Sequence, residues 1–269
     1  MGITKPRTEL YKKEITPGLA NKLWSAIYYV LGPNPVLSIS TEVSIAIHYQ
    51  LWLNYFKYSI DEIPSYGDGN LSYEDILAIE KEAFFKAIWY EQLNYLEFIA
   101  KQFPPDSEFA EVCNRFFSEE LLGYRFIGNI ITPITDEQEL QCVEEVLQSD
   151  DRFIAVKKHL QEAIAKFSDR KNPDYRNSIK ESISAVESIC KIVSDNDRAT
   201  LGDALKTIEK KHRIPNLLRV SFDKLYAYTN DDGGIRHGLK DGDIEPEQAE
   251  AKFMLIACSA FINYLKELI

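Results

Sequence analysis

Apolar residues recur at helical spacing through nearly every segment of this chain. Leu19 to Leu31 predicts a helix rich in aromatics (Trp24, Tyr28, Tyr29) and stopped by Gly32-Pro33. Val36 to Tyr58 predicts a second. Its apolar residues (Ile45, Ile47, Leu51, Trp52, Leu53, Phe56) fall on nearly every side, so it is expected to be central. Ile63 to Gly69 carries Pro and Gly and predicts a loop. Ser72, with Asp75 three residues on, predicts the start of a helix to about Trp89. Another is expected over Glu91 to Phe103, before Pro104-Pro105, and Asp106 is expected to cap one through about Leu122.

The helical period breaks at Gly123 to Ile134, where β-branched and aromatic residues flank Gly128-Asn129. This predicts a small hairpin. Thr135 and Gln138 fit a capping box opening a helix through about Gln148, expected to bridge the two halves. Beyond it, Asp150 or Asp151 caps a helix to Phe167, and Ser168 to Pro173 predicts a turn. Pro173 opens a long helix to about Val193, with Ile179, Ile183, Val186, Cys190 and Val193 forming one stripe. Thr200 to His212, Pro215 to about Tyr228, and Pro246 to Ile269 complete the set, the last two separated by a polar, glycine-rich stretch from Thr229 to Glu245. The expected fold is therefore mainly α, with a small β-hairpin near 123–134. Two helical domains are expected, 1–148 and 149–269, the second an up-down helix bundle.

Composition narrows the class. Hydrophobic residues make up 45% and charged residues 27%, the balance of a globular chain. No apolar run approaches the roughly 20 residues a membrane helix needs. The N-terminal stretch lacks the apolar core of a secretory signal, and Pro6 breaks the myristoylation pattern after Gly2. A cytoplasmic protein without membrane association is expected. Cys113, Cys142, Cys190 and Cys258 form no CxxC pair and sit within apolar helical patterns, so buried thiols are expected and neither a metal nor a cofactor.

Charge is unevenly spread along the sequence. Residues 1–150 carry 11 Lys+Arg against 23 Asp+Glu, a net −12, whereas residues 151–269 carry 20 against 19, a net +1. An RNA contact is easier to place in the second half.

The residues richest in chemistry lie between Tyr226 and Gly242. There Asn230, Asp231 and Asp232 precede two glycines, followed by Arg236 and His237. The connection is longer than the roughly 2–8 residues usual between bundle helices. An imidazole can shuttle a proton near neutral pH, and a guanidinium can stabilise charge developing on a phosphate, which suits phosphodiester cleavage. The competing reading is a helix-capping turn, with Arg236 paired to Asp231 or Asp232. A second candidate set is Arg176 and Asn177 on the long helix, with Lys180 and Glu181 one turn on. That polar stripe faces solvent, a dimer partner or the Arg236-His237 loop. His48, in an apolar helix, reads as a satisfied core or interface residue. His159 and His212 read as surface residues in Lys-rich stretches.

Several blocks of sequence carry a resemblance. DYRNSIKESISAVESICK, TLGDALKTIEKK, LYAYTNDDGGIRHGL and EAKFMLIACSAFINYL resemble the C-terminal domain of AbiJ-type abortive-infection proteins. WLNYFKYSIDEIP, FFKAIWYEQLNYLEFIAKQF and SEELLGYRFIGNIITPITDEQELQCVEEVL are similar to an N-terminal domain found in such proteins. The resemblance implies a HEPN-like bundle of four to five helices that dimerises. Many such domains are metal-independent ribonucleases in phage defence. It also implies an Arg followed by a His after a gap of four to six residues, near the start of a late helix.

Here the chain departs from that pattern, because Arg236 and His237 are adjacent. Adjacent side chains point in different directions, so one phosphate does not readily engage both. Two expectations follow. One is a defence effector that cleaves RNA through Arg236 and His237, supported by Asn230, Asp231, Asp232, Arg176, Asn177 and Glu181. The other is a noncatalytic interaction or dimerisation module, whose N-terminal domain binds a protein partner. Both include a homodimer formed through the C-terminal bundle.

Overall fold

The computed structural model describes residues 10, 13–33, 41–67, 70–105, 107–212, 214–231 and 245–269. The chain divides into two compact units, Met1–Thr135 and Asp136–Ile269. Among the described residues the structure is mainly helical, with a single two-stranded hairpin.

The first unit begins with α1 (Pro17–Leu31), where Thr16 Oγ1 accepts from the Leu19 N–H and Pro17 fills the first helical position. Its buried stripe runs from Leu19 through Leu23 and Ile27 to Leu31, and Gly32 closes the last turn. Within its described part, the expected helix over 36–58 is irregular and ends before Tyr58. α2 spans Thr41–Gln50, a π-helical turn covers Leu51–Tyr55, and Lys57 adopts a left-handed φ of 61° that ends the helical run. Residues 34–40 lie outside the described set. A short 3-10 turn, Ile60–Glu62, follows.

α3 (Tyr73–Lys86) stops three residues before the expected Trp89, because Ala87 and Ile88 turn extended. Trp89 instead opens α4 (Trp89–Ala100), and Glu91 Oε2 accepts from the Ile88 N–H at its start. Ser72 donates its hydroxyl to Asp75 (2.6 Å) and does not cap the α3 backbone. α5 spans Glu108–Glu119, with Ser107 at its N-cap position; Asp106, expected there, lies outside the described residues.

The hairpin is present where the sequence predicts it. β1 (Arg125–Ile127) pairs antiparallel with β2 (Ile130–Thr132), in the register Phe126 opposite Ile131. Gly128 takes the positive φ (54°) that a two-residue hairpin turn requires at its first central position. Side chains then satisfy the strands: Asn114 bonds both the N–H and the carbonyl of Phe126, and Glu97 Oε1 accepts from the Ile131 N–H (2.6 Å). The first unit's core gathers Leu23, Ile27, Phe84, Leu96, Phe117 and Phe126, among others.

In the second unit, α6 (Glu137–Leu147) is capped by Asp136, whose Oδ1 accepts from the N–H groups of both Gln138 and Glu139 at 3.0 Å. The expected Thr135 cap is thus displaced by one residue, since the Asp136 carboxylate reaches two orphan donors at once. A 3-10 turn, Asp151–Phe153, leads into α7 (Ile154–Ser168). α8 (Tyr175–Ser194) is the centre of this unit and packs against α7, α9 (Leu201–His212) and the last helix, α11 (Gln248–Lys266). Its stripe of Ile179, Ile183, Val186, Cys190 and Val193 is buried as the spacing predicts. α10 (Asn216–Asp231) runs three residues past the expected Tyr228, anchored by the buried Thr229, whose hydroxyl donates to the Tyr226 carbonyl. α6 packs on α11: Lys252 pairs with Glu139 at 2.6 Å, and Asn263 and Lys266 donate to the carbonyls of Cys142 and Glu145.

Drawing the boundary at 135 changes the charge picture. Residues 1–135 carry 11 Lys+Arg and 17 Asp+Glu, a net −6, and residues 136–269 carry 20 and 25, a net −5. The carboxylates in and around α6 account for the change, and two of them, Glu139 and Glu145, are met by side chains of α11.

Candidate functional site

Arg236, His237 and Asp232 lie outside the described residues. Asn230 and Asp231 supply the last two backbone positions of α10, not a loop. The segment carrying the expected catalytic pair therefore joins the end of α10 to Glu247, the N-cap of α11.

The remaining candidates lie at the start of α8, and their partners are defined. Asp174 is the N-cap: its Oδ1 accepts from the Asn177 N–H at 3.0 Å and its Oδ2 from the Asn177 side-chain amide at 2.7 Å. Burial of this carboxyl works to raise its pKa. The two Asn177 bonds, with Lys166 and Arg176 nearby, outweigh burial and hold it below its ordinary value. Asn177 is thereby committed to holding the first turn of α8, and Arg176 contributes positive charge to the same spot.

One turn further, Glu181 points across to α7. Its Oε2 lies 2.7 Å from His159 Nδ1, and Lys180 Nζ is 3.8 Å from its other oxygen. The Glu181 side chain is 11% exposed and the His159 ring 38% exposed. A nearly buried carboxylate on Nδ1 fixes the ring and favours the proton on that nitrogen. Nε2 is then the nitrogen left with a lone pair to accept a hydrogen bond. The arrangement holds an imidazole in one orientation on the seam between α7 and α8. Sequence reasoning places His159 on the surface, because its partner lies 22 positions away on the neighbouring helix. Only the antiparallel packing of α7 on α8 brings the two together. The sequence signal that exists is weak: both residues lie among apolar positions that the packing of these two helices buries.

A second histidine–carboxylate contact, His48 with Glu80, is sealed inside the first unit, with both side chains fully buried. The expectation of a satisfied core histidine holds. Elsewhere, Arg125 spends its guanidinium on the carbonyls of Leu122 and Tyr124, bracing the entry to the hairpin.

Among the described residues no group of three or more His, Cys, Asp and Glu side chains is arranged to hold a metal ion. No helix among them is long and apolar enough to cross a membrane. The four cysteines are free thiols, three of them buried.

In comparison with known proteins, the family model described as AbiJ N-terminal domain 4 matches residues 1–149. No curated protein and no solved structure matches the chain.

Proposed function

The chain belongs to the AbiJ N-terminal domain 4 family over more than half its length, and from that premise we propose a phage-defence protein of the abortive-infection type whose second unit is a HEPN-like ribonuclease. In this reading the first unit receives a signal or partner. The second, as a homodimer, cleaves RNA without a metal ion. The observation that carries the defence role is the family match across residues 1–149. The nuclease reading rests on the resemblance of the C-terminal blocks and on Arg236 and His237, which precede α11 in the sequence.

The chemistry is a transfer within the RNA itself. A base removes the proton of a ribose 2′-hydroxyl, whose oxygen attacks the adjacent phosphorus. The P–O5′ bond breaks as an acid protonates the departing oxygen, leaving a cyclic phosphate and a 5′-hydroxyl. His237 suits the proton transfers, and Arg236 suits the charge that develops on the phosphoryl oxygens.

The test is cleavage of a labelled RNA by the purified protein in the presence of a chelator, set against Arg236→Ala, His237→Ala and an all-deoxy substrate. Loss of cleavage in both variants and on DNA supports the assignment. Equal activity in all three proteins rejects it. A second reading, a noncatalytic interaction module, is favoured by the adjacency of Arg236 and His237. It expects no cleavage by the purified protein, alone or in extracts of infected cells, together with a dimer that still co-purifies with a protein partner.

A further inference from the structure

The first unit contains a concavity of about 450 Å³ lined by Tyr55, Phe56, Phe84, Tyr95, Lys86 and Glu91, a size within the range of small-molecule sites. Three elements build it: the π-helical turn after α2, the end of α3 and the beginning of α4. The backbone is unusual only on the first of these walls. The Phe56 N–H bonds back five residues to the Leu51 carbonyl, the Tyr58 N–H bonds to the Trp52 carbonyl, and Lys57 sits at a left-handed φ of 61°. Wide turns and left-handed non-glycine residues cost conformational energy and concentrate where a site needs a side chain re-aimed. Here the residues that they re-aim are Tyr55 and Phe56.

The Tyr55 ring stands at right angles to two of its neighbours. Tyr55 meets Phe56 at 5.3 Å and 90°, and Tyr95 at 5.2 Å and 87°. The Tyr55 hydroxyl donates to the Glu91 carbonyl at 3.2 Å, tying the π turn to the first turn of α4. Tyr95 is buried and forms the floor, and one face of Phe56 is covered by the stacked Tyr58 ring. The half-buried Tyr55 and the outer side of Phe56 are therefore the aromatic surface that can attract a cation through the ring quadrupole.

Charge decides between kinds of occupant. An anion would be drawn to the N-terminus of α4, but the Glu91 carboxylate already occupies that end and accepts from the Ile88 N–H. The cation at the rim, Lys86, is paired with Glu82 one turn back. Residues 1–135 as a whole carry a net −6.

The geometry points to this concavity as a binding site for a small organic cation, a quaternary or protonated amine held against Tyr55 and Phe56, over the buried Tyr95, with Glu91 at the rim. This goes beyond the nuclease reading and does not depend on it: it gives the first unit a chemical class of ligand. A phosphate-bearing nucleotide would meet a carboxylate where it needs a donor.

The test uses the full chain and its own fluorescence, because all three tryptophans lie in the first unit. Choline is titrated against neohexyl alcohol, its neutral carbon isostere, and against adenosine monophosphate. A saturable change with choline is expected, with the isostere at least about tenfold weaker, as a cation–ring contact requires. Tyr55→Leu and Glu91→Gln should each weaken choline several-fold. The glutamine can still accept from the Ile88 N–H, so this second variant decides the matter if the first fails to fold. No saturable response to choline, equal binding of the isostere, tighter binding of the nucleotide, or unchanged affinity in Glu91→Gln would each overturn the proposal.

Discussion

His48 and Glu80, 32 residues apart in sequence, meet in the core of the first unit with 2.9 Å between Nδ1 and Oε1. The other ring nitrogen lies 2.8 Å from the Leu31 carbonyl, which also accepts from Ser44. A carbonyl can only accept, so Nε2 carries a proton, and an ionised Glu80 then calls for a second proton on Nδ1. The pair stitches α2 and α3 to the last turn of α1, where a cation is favourable.

That contact makes the first unit's stability depend on pH. Burial pulls the His48 pKa down, but the hydrogen bond and charge of Glu80, with the Leu31 carbonyl, outweigh it and leave the value raised. A raised pKa contributes stability that is complete below the unfolded value of about 6.5 and is lost as pH rises through the folded value. Stability read by tryptophan-detected unfolding should therefore fall on alkaline titration from about pH 6.5. Glu80→Ala should cost about 3–5 kcal/mol at pH 6 and reverse the dependence, because burial then pulls the His48 pKa down. A wild-type midpoint constant across this range would refute the assignment.

The cap of α8 gives a dependence of opposite sign. The Asp174 pKa is depressed, so its contribution is present above the unfolded carboxylate value and lost as pH falls through the folded one. Asp174→Ala removes both bonds to Asn177 and should cost about 1–2 kcal/mol near neutral pH. The second unit has no tryptophan, so far-ultraviolet circular dichroism is the readout. A midpoint unchanged by the substitution would remove Asp174 as the determinant of where α8 begins.

Asp136 and Thr135 allow a sharper comparison, because the sequence pattern favours one and the structure uses the other. Asp136→Ala should destabilise the second unit by about 1 kcal/mol, and Thr135→Ala by far less. The reverse order in denaturant melts would restore the capping box read from Thr135 and Gln138.

These cases show which features the chain advertises locally and which it does not. The hairpin is legible because Gly128 and Asn129 sit between β-branched runs and a two-residue turn needs the positive φ that Gly128 adopts. The α8 stripe is legible because one helix face holds all of its apolar residues. The break after Gln50 is not, because a segment apolar on nearly every side looks the same whether the helix continues or widens into a π turn. The boundary between α3 and α4 is hidden for a related reason: Ala87 and Ile88 carry no helix-stopping chemistry, and their extended backbone follows from packing. The His159–Glu181 contact is invisible because each partner, taken alone, is an ordinary polar residue on an amphipathic helix.

His159 and Glu181 also permit a test that separates local from global effects. If Glu181 orients the ring, a double-mutant cycle with His159→Gln and Glu181→Gln should show a coupling of about 0.5–3 kcal/mol in stability. The same two variants assayed for RNA cleavage show whether the pair serves more than packing. Additive stability effects would mean that the 2.7 Å contact is not maintained in solution.

The thiols supply the last prediction. Burial raises the pKa of Cys113 and Cys190 far above the usual thiol range and that of Cys258 to about 12, so each is protonated at any working pH. Cys142 is half-buried, and its pKa is raised by burial and by the nearby Glu145, against a lowering contact with Asn263. The thiolate is the reacting species. A disulfide reagent at mildly alkaline pH should therefore modify Cys142 slowly and leave the other three untouched until denaturant is added. The first-order rate at Cys142 reports the opening of the α6–α11 contact, since Asn263 bonds the Cys142 carbonyl across that seam. Asn263→Ala should speed this reaction without exposing Cys113, which lies in the other unit's core. Rapid labelling of all four thiols in the native protein would contradict both the burial of these side chains and the division of the chain into separately packed units.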